Sequence, residues 1–243
     1  MSKKQEKIVS MFDEIAPSYD KANRVMSLGI DVKWRKVACE KAFEALGRDE
    51  IGCVLDVACG TGDMLWHWDK ESKKVHKQIV KMCGIDPSRG MLEVARQKLN
   101  PLFTEDRLQL SVGEAKALGI ESANVDILSI AYGLRNVVAL DEALDEFVRV
   151  LKSGGVLVIL EFMNNEKKGL LQSLMRFYTR KILPLVGGLL SRNYAAYKYL
   201  PNSIKDFVSI EQLEEKLQAR GVSSYFVKGY SADISTLYIG IKS

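Results

Sequence analysis

The chain has 243 residues, of which 47% are hydrophobic and 27% charged. This composition excludes disordered and fibrous proteins and allows one large α/β domain or two small ones. Lys and Arg number 35 against 31 Asp and Glu, and the resulting net charge of +4 is too small to indicate a nucleic-acid partner.

Cysteine usage and apolar runs indicate the compartment. The four cysteines stand singly, without metal-ligand spacing, so we expect neither a disulfide framework nor a metal site. The N-terminus carries no apolar signal-peptide core, and no apolar run approaches the roughly 20 residues that a membrane-spanning helix needs. We therefore expect a cytoplasmic protein.

The predicted elements begin with helices over residues 3–47, which break near Pro17 and at 27–29. From residue 51 onward, short apolar runs alternate with amphipathic stretches, which predicts βαβ units and a parallel sheet. The predicted strands are 53–58, 79–85, 108–112, 125–130, 156–162, 224–227 and 236–241, with helices through Leu65 and Trp68, over 88–99 and over 141–151. The last two strands are separated by turn residues, which predicts an antiparallel pair that closes the sheet.

We therefore expect a single α/β domain over residues 1–243 with a Rossmann-like, mostly parallel sheet of seven strands and helices on both faces. Residues 1–47 are predicted to form a helical lid over one edge of the sheet. Residues 163–205 are predicted to be an inserted helical segment between the fifth strand and the C-terminal pair.

A glycine loop follows the first predicted strand, over residues 56–63 (DVACGTGD). Ligands of open α/β sheets bind at the carboxyl ends of the strands, where helix N-termini offer free N–H groups. A dinucleotide fingerprint would place a third glycine at position 65, which is Leu65 here. The loop therefore favours a ligand with a ribose and without a pyrophosphate.

Carboxylates also end the next two strands. Asp86, before Pro87, is placed to accept hydrogen bonds from both ribose hydroxyls, and Glu114, before Ala115, is placed near an adenine edge. Three polar strand ends in succession describe a bound adenosine, and S-adenosylmethionine fits. The alternative is that the glycines only turn the chain and that Asp86 only caps the following helix.

Four further segments resemble a known family. They are residues 11–20 (MFDEIAPSYD), 23–29 with Trp34 and Arg35, 132–137 (YGLRNV) and 197–204 (YKYLPNSI). Together with the glycine loop and Asp86, they are similar to the ubiquinone/menaquinone biosynthesis C-methyltransferases, which are class I S-adenosylmethionine-dependent methyltransferases. The resemblance spans nearly the whole chain and implies methyl transfer to a ring carbon of a polyprenylated hydroquinone.

The resemblance also implies site residues. It assigns cofactor binding to Thr61, Asp86, Glu114 and Ala115 and places Tyr19 in a lid over the cofactor. With the remaining loop positions, the predicted cofactor site comprises Tyr19, Asp56, Gly60, Thr61, Gly62, Asp86, Pro87, Glu114 and Ala115. The chain departs from the family pattern at Ala131, where serine is common, and over residues 231–236.

Methylation of a ring carbon requires an electron-rich ring, and a phenolate is a better carbon nucleophile than a phenol. Arg135 and Asn136 follow the fourth predicted strand, where such enzymes place the reacting group. We expect Arg135 to stabilise the phenolate while water removes the proton, because a guanidinium keeps its own proton at neutral pH. Asn136 would fix the ring hydroxyl. The alternative is that Arg135 is an ion-pair partner that closes the loop.

Residues 167–205 contain eight Lys or Arg and no Asp or Glu. Apolar residues recur there at roughly helical spacing: Leu170, Leu171, Leu174, Met175, Phe177, Tyr178, Ile182 and Leu183. Such a segment suits an anionic membrane surface or a channel for an isoprenoid tail. It equally suits a helix on the sheet edge or a homodimer interface. The implied lipid substrate favours contact with the inner face of the cell membrane.

Other functions stay open at this point. The chain could methylate another apolar small molecule, which the altered segment 231–236 favours, or it could bind the cofactor without catalysis in a membrane-associated assembly. RNA binding is disfavoured because the basic segment lacks a base-stacking pattern. The ring, benzoquinol or naphthoquinol, is not specified by the sequence.

Overall fold

The structure is a computed structural model that describes residues 2–164, 169–191 and 193–243. Three helices precede the sheet: α1 (Lys3–Ile15), α2 (Tyr19–Met26) and α3 (Ile30–Leu46), with a 3₁₀ turn at Ala16–Ser18. The breaks fall where Pro17 and residues 27–29 predict them. Gly29, with φ +74°, supplies the left-handed residue that lets α3 start in a new direction.

Seven strands of the described part form one sheet in the order β3-β2-β1-β4-β5-β7-β6. β7 runs antiparallel to both of its neighbours, and the other paired strands are parallel. The strands are β1 (Glu50–Val57), β2 (Gln78–Asp86), β3 (Leu108–Val112), β4 (Val125–Ala131), β5 (Leu151–Phe162), β6 (Val222–Tyr230) and β7 (Ser235–Lys242). The predicted mostly parallel sheet with an antiparallel C-terminal pair is confirmed.

Helices cover both faces of the sheet. On one face α3, α4 (Asp63–Lys74) and α5 (Arg89–Leu99) bury residues such as Phe43, Trp68 and Leu92. On the other face α6 (Leu140–Val150) and α10 (Ile210–Gln218) bury residues such as Phe147 and Leu213. At the carboxyl ends of β1 to β4, the covering elements are α1, α2 and the first turns of α3.

Strand boundaries differ from the sequence-based expectation, most of all at β5 and β6. β5 begins at Leu151, which was expected to end α6, because Leu151 pairs in register with Val125 of β4. β6 begins two residues before and ends three residues after the predicted run 224–227, because pairing with β7 holds further residues in the strand. An edge strand can carry exposed polar side chains, so its alternation is weak.

The described part of the segment between β5 and α10 is mainly helical. It contains α7 (Leu170–Phe177), a π-helical turn (Tyr178–Ile182), α8 (Leu183–Ser191) and α9 (Tyr194–Lys205). Its expected basic residues Lys167, Lys168 and Arg192, and the side chains of Leu170, Leu171, Arg176 and Arg180, lie outside the described part. The Tyr178 hydroxyl donates to the Met26 carbonyl at 2.7 Å, which ties the segment to the end of α2.

Candidate active site

Two cavities lie side by side where α1 to α3 cover the carboxyl ends of the strands. We call the first, of about 310 Å³, the strand-end cavity, because residues that follow β1 to β4 line it. We call the second, of about 380 Å³, the helical cavity, because α1 to α3 and the segment α7 to α9 supply much of its wall. Phe12, Tyr19 and Tyr132 line both, so these three rings form the partition.

Asp86 ends β2 at the floor of the strand-end cavity. One carboxylate oxygen accepts from the Gly60 N–H at 2.8 Å and the other accepts from the Ser88 N–H at 2.8 Å. Burial raises the pKa of Asp86 to about 6, although these two bonds favour the ionised form. Each oxygen keeps acceptor capacity, which suits a ligand that offers two adjacent hydroxyl donors.

Six of the predicted cofactor residues line the strand-end cavity: Tyr19, Gly60, Asp86, Pro87, Glu114 and Ala115. The structure thus brings together the loops after β1, β2 and β3. The start of α5 is also held by α1, because Asp13 of α1 accepts from the Ser88 hydroxyl at 2.6 Å and from the Gly90 N–H at 2.8 Å.

The other three predicted residues lie behind the cavity lining. Asp56 is buried beneath the loop, where the Ser129 hydroxyl donates to it at 2.6 Å and Trp68 in turn donates to Ser129 at 3.0 Å. Burial raises the pKa of Asp56 to about 7. Thr61 donates its hydroxyl to Asp20 of α2, and Gly62 adopts φ +80° against Leu99.

Ala58 and Tyr132 close the strand-end cavity between β1 and β4. Both have left-handed backbone, with φ of +50° and +60°, which is unfavourable for residues with a Cβ atom and clusters at functional sites. Gly133 allows the two loops to meet, since a Cβ there would lie 2.5 Å from the Ala58 Cβ. Tyr132 is thereby turned so that its ring separates the two cavities.

The two predicted catalytic residues lie on opposite sides of this partition. Asn136 lines the strand-end cavity, and its buried side-chain oxygen finds no hydrogen-bond partner among the described residues. Arg135 lines the helical cavity. An unsatisfied buried acceptor is costly, so the Asn136 oxygen is a position where a ligand donor would be favourable.

Arg135 is held by Glu161, which is fully buried at the end of β5. The Arg135 guanidinium donates to Glu161 at 2.6 Å and to the Tyr132 carbonyl at 2.7 Å, and the Arg135 backbone N–H donates to the second Glu161 oxygen at 3.1 Å. Its Nε atom is buried and finds no partner in the described part of the chain. Arg135 is therefore an ion-pair partner, as the alternative interpretation expects. Its Nε–H nevertheless makes no hydrogen bond to the described residues.

An ion-pair cluster joins α2 to the glycine loop. Lys98 of α5 contacts Asp20 at 2.8 Å and Asp63 at 2.7 Å, and Arg24 contacts Asp63 at 2.7 Å. Burial alone would raise the pKa of Asp63, but the neighbouring cations, Arg35 and Lys98 foremost, lower it to about 2. The cluster fixes the helices that cover both cavities.

Sequence reasoning missed several of these residues. Glu161 and the Asp20–Lys98 pair have no local signal, because their partners are 26 and 78 residues away. Tyr132 and Arg35 were part of the resembling segments, but nothing in their spacing indicated a cavity wall. Neither histidine lines a cavity; His67 is buried against Trp66, and burial lowers its pKa to about 4.

Solved structures share the fold. A putative S-adenosyl-L-methionine-dependent methyltransferase from Methanococcus maripaludis superposes with a TM-score of 0.61 at 19% identity, covering 96% of this chain and 94% of that one. A SAM dependent methyltransferase from Aquifex aeolicus gives a TM-score of 0.57 at 19% identity, covering 84% of this chain and 89% of that one.

Within the part that the structure describes, no helix is long and apolar enough to cross a bilayer.

Sequence relatives cover the whole chain. A protein of Campylobacter jejuni named ubiquinone/menaquinone biosynthesis C-methyltransferase UbiE is 46% identical over 240 residues, covering 98% of this chain and 99% of that protein. A protein of the same name from Geotalea uraniireducens is 37% identical over 242 residues, covering 100% and 99%. The model of the ubiE/COQ5 methyltransferase family matches residues 1–242. The chain belongs to the ubiE/COQ5 methyltransferase family.

Proposed function

We propose that this protein transfers the methyl group of S-adenosylmethionine to a ring carbon of a polyprenylated hydroquinone, a precursor of menaquinone or ubiquinone. The observation that carries the proposal is the pair of cavities that meet at Phe12, Tyr19 and Tyr132. One has polar groups suited to a nucleoside, and the other is mainly apolar. The relatives described above are named C-methyltransferases of ubiquinone/menaquinone biosynthesis.

S-Adenosylmethionine, the cofactor of this family, suits the strand-end cavity. The Asp86 carboxylate suits the two ribose hydroxyls, and the loop around Glu114 and Ala115 suits the adenine. The unsatisfied Asn136 oxygen and the left-handed Ala58 fit a cavity whose lining is completed by a ligand. When bound, the cofactor supplies an electrophilic methyl group on a positively charged sulfur.

The helical cavity suits a ring with an isoprenoid tail. Its wall includes Met11, Ile15, Met26, Leu28, Ile30, Met175, Leu183 and Leu200, together with Tyr199 and Tyr178. Arg135 is a buried cation in the wall of this cavity, where it donates to the Tyr132 carbonyl, and its side chain is only 7% exposed. A buried cation in an apolar cavity interacts strongly with a developing anion, because water does not screen it.

Arg135 would make the acceptor ring nucleophilic. A hydroquinone hydroxyl resembles that of tyrosine, with a pKa of about 10, and lowering it by about 3 units requires about 4 kcal/mol of differential stabilisation. One charge-assisted hydrogen bond contributes roughly 1.5–3 kcal/mol, so Arg135 and one further donor suffice. The guanidinium cannot accept the proton, and water removes it. Asn136 lines the strand-end cavity and would therefore contact the cofactor rather than the part of the ring that Arg135 faces.

The helices α1 to α3 would act as a lid of residues 1–47 over both substrates. The supporting observation is the ion-pair cluster, in which Asp20 and Arg24 of α2 meet Lys98 and Asp63 at the glycine loop. A closed lid excludes water from a methyl donor and an activated ring, which limits hydrolysis and strengthens the field of Arg135.

Residues 163–205 would bring the protein to the inner face of the cell membrane, where the acceptor resides. The supporting observations are exposed apolar side chains at Leu174 (57%), Phe177 (57%) and Leu185 (61%). Lys181, Lys198 and Lys205 are exposed on the same segment, which suits anionic headgroups. Leu28, at the wall of the helical cavity, is 83% exposed and would lie at the entry for the tail.

Replacing both Phe177 and Leu185 by serine is expected to weaken binding to vesicles that contain anionic lipid by at least about tenfold, since each buried apolar side chain contributes about 1.5–3 kcal/mol. Vesicle sedimentation measures the binding. The matched control is Leu102→Ser, which removes an equally exposed leucine from the loop after α5. Equal binding of the double variant and the control would contradict membrane contact through this segment.

The redox state of the acceptor tests the proposed reaction. The protein is incubated with labelled S-adenosylmethionine and a polyprenyl acceptor in detergent, once as the hydroquinone and once as the quinone. Only the hydroquinone can form a phenolate, so transfer of label from S-adenosylmethionine is expected to the reduced acceptor alone. Bound cofactor without transfer to either benzoquinol or naphthoquinol rings would contradict the proposal.

A further inference from the structure

Arg35 is a second buried cation in the wall of the helical cavity. It lies in α3, is 7% exposed, and is separate from the Arg135–Glu161 pair. Its Nε atom is buried and has no hydrogen-bond partner among the described residues. A buried guanidinium without an acceptor is unfavourable, so an oxygen that a ligand presents to the part of the guanidinium that lines the cavity would improve its surroundings.

The facing carboxylate does not satisfy Arg35. Asp31, one turn earlier on α3, lies 3.8 Å from the Arg35 Nε atom, which is too far for a hydrogen bond. Asp31 is already engaged, since one oxygen accepts from Arg24 and the other accepts from the Ser27 hydroxyl at 2.6 Å. Arg35 therefore has a countercharge nearby and an unused donor.

Two aromatic rings separate Arg35 from Arg135. The Arg35 guanidinium lies 5.4 Å from the centre of the Tyr132 ring, and the Tyr132 ring lies 4.7 Å from that of Phe162. The Arg135 guanidinium lies 5.3 Å from the Phe162 ring centre. All four side chains line the helical cavity, so its aromatic wall carries one cation at each end.

We propose that Arg35 binds the acceptor at the ring oxygen opposite the one that Arg135 addresses. This inference rests on the proposed function. A p-hydroquinone has two oxygens on opposite ring carbons, and the Tyr132 and Phe162 rings, inclined by 38° to each other, have one guanidinium beside each ring, which suits that arrangement. Arg135 would face the hydroxyl that ionises, and Arg35 would donate to the second oxygen and orient the ring. The pair would thus select hydroquinones over rings that carry one oxygen.

The cofactor is the other possible source of an oxyanion, through its carboxylate. Arg35 lines the helical cavity and is not part of the strand-end lining, which favours the acceptor. Its field nevertheless reaches Asp56 and Asp63 at the glycine loop, where it favours the ionised carboxylates. An experiment must therefore measure the affinity for the cofactor and the affinity for the ring separately.

The test compares two matched ligands on Arg35→Met. One is a short-chain prenyl hydroquinone, and the other is the same ring without the second oxygen, used as a competitive inhibitor when it is not methylated. Wild type is expected to bind the hydroquinone about ten- to a hundredfold more tightly, the effect of one charge-assisted hydrogen bond. Arg35→Met is expected to bind both ligands with nearly equal affinity and to keep the wild-type affinity for S-adenosylmethionine.

Lys33→Met is the matched control, because it removes an exposed cation from the same helix. If Arg35→Met does not fold, Arg35→Lys gives the same readout, with reduced discrimination between the two ligands. Discrimination unchanged from wild type would overturn the inference. So would a variant that loses affinity for S-adenosylmethionine but still discriminates. A wild-type protein that neither binds nor methylates the hydroquinone would instead overturn the proposed function.

Discussion

Replacing Arg135 by alanine is expected to lower kcat for a prenyl hydroquinone by about ten- to a hundredfold, the value of one charge-assisted hydrogen bond to the developing phenolate. The affinity for S-adenosylmethionine is expected to change little, because Arg135 lies on the helical side of the partition formed by Phe12, Tyr19 and Tyr132. Initial rates at saturating cofactor, with calorimetry for cofactor binding, measure the two quantities.

Glu161 must be controlled in this experiment. Removing Arg135 alone leaves a fully buried carboxylate without its partner, which destabilises a protein by about 3–5 kcal/mol. The double variant Arg135→Met with Glu161→Gln removes both charges, so that no buried charge is left without a partner. Its kcat is expected to stay as low as that of Arg135→Ala while its thermal unfolding midpoint recovers. A loss of kcat smaller than about tenfold in the double variant would contradict the assigned role.

Asp86→Asn is expected to weaken S-adenosylmethionine binding by about ten- to a hundredfold, because an amide oxygen is a weaker acceptor for the ribose hydroxyls than a carboxylate. In addition, the amide NH₂ group would face the N–H of Gly60 or Ser88, so that two donors would meet. Glu93→Gln, an exposed carboxylate on the neighbouring helix α5, is the matched control. Calorimetric titration measures the affinity. Wild-type affinity in Asp86→Asn would show that the ribose lies elsewhere.

The pH dependence of cofactor affinity gives the same residue a second test. Burial raises the pKa of Asp86 to about 6, and hydroxyl donors bind the ionised form. Affinity should therefore be constant well above pH 6 and fall as the pH drops through that value, by at most about tenfold per pH unit for one proton. In Asp86→Asn, the fall in cofactor affinity near pH 6 should be absent. An affinity that rises as the pH falls would contradict this assignment.

Sequence reasoning predicts those residues of the site that follow the parallel strands, because the parallel topology determines where they lie. Asp86 and Glu114 end β2 and β3, and Gly60 follows β1. Once the strands are assigned and paired in parallel, their carboxyl ends must share one edge. The fold and the strand-end residues Gly60, Asp86 and Glu114 of this cavity were therefore accessible from patterns of apolar runs and turns.

The features of the site that the sequence could not indicate depend on contacts between residues that are far apart in the chain. The Glu161–Arg135 ion pair joins β5 to the loop after β4, and Arg35 reaches the cavity only because α3 packs on β5 and β7 of the sheet. Asp56 was expected to bind the cofactor from its place in the glycine loop, and the structure buries it beneath Ser129. Which way a strand-end side chain points depends on backbone angles such as those of Ala58 and Tyr132, which the sequence does not specify.

The atom that receives the methyl group tests the central claim most directly. The protein is incubated with ¹³C-methyl S-adenosylmethionine and a mixture of demethylmenaquinol and the corresponding benzoquinol precursor, and the products are examined by NMR. We predict label on a ring carbon of one or both hydroquinones, with the preferred ring naming the pathway. Label on a ring oxygen, or no transfer by a protein that binds the cofactor, would contradict a quinol C-methyltransferase.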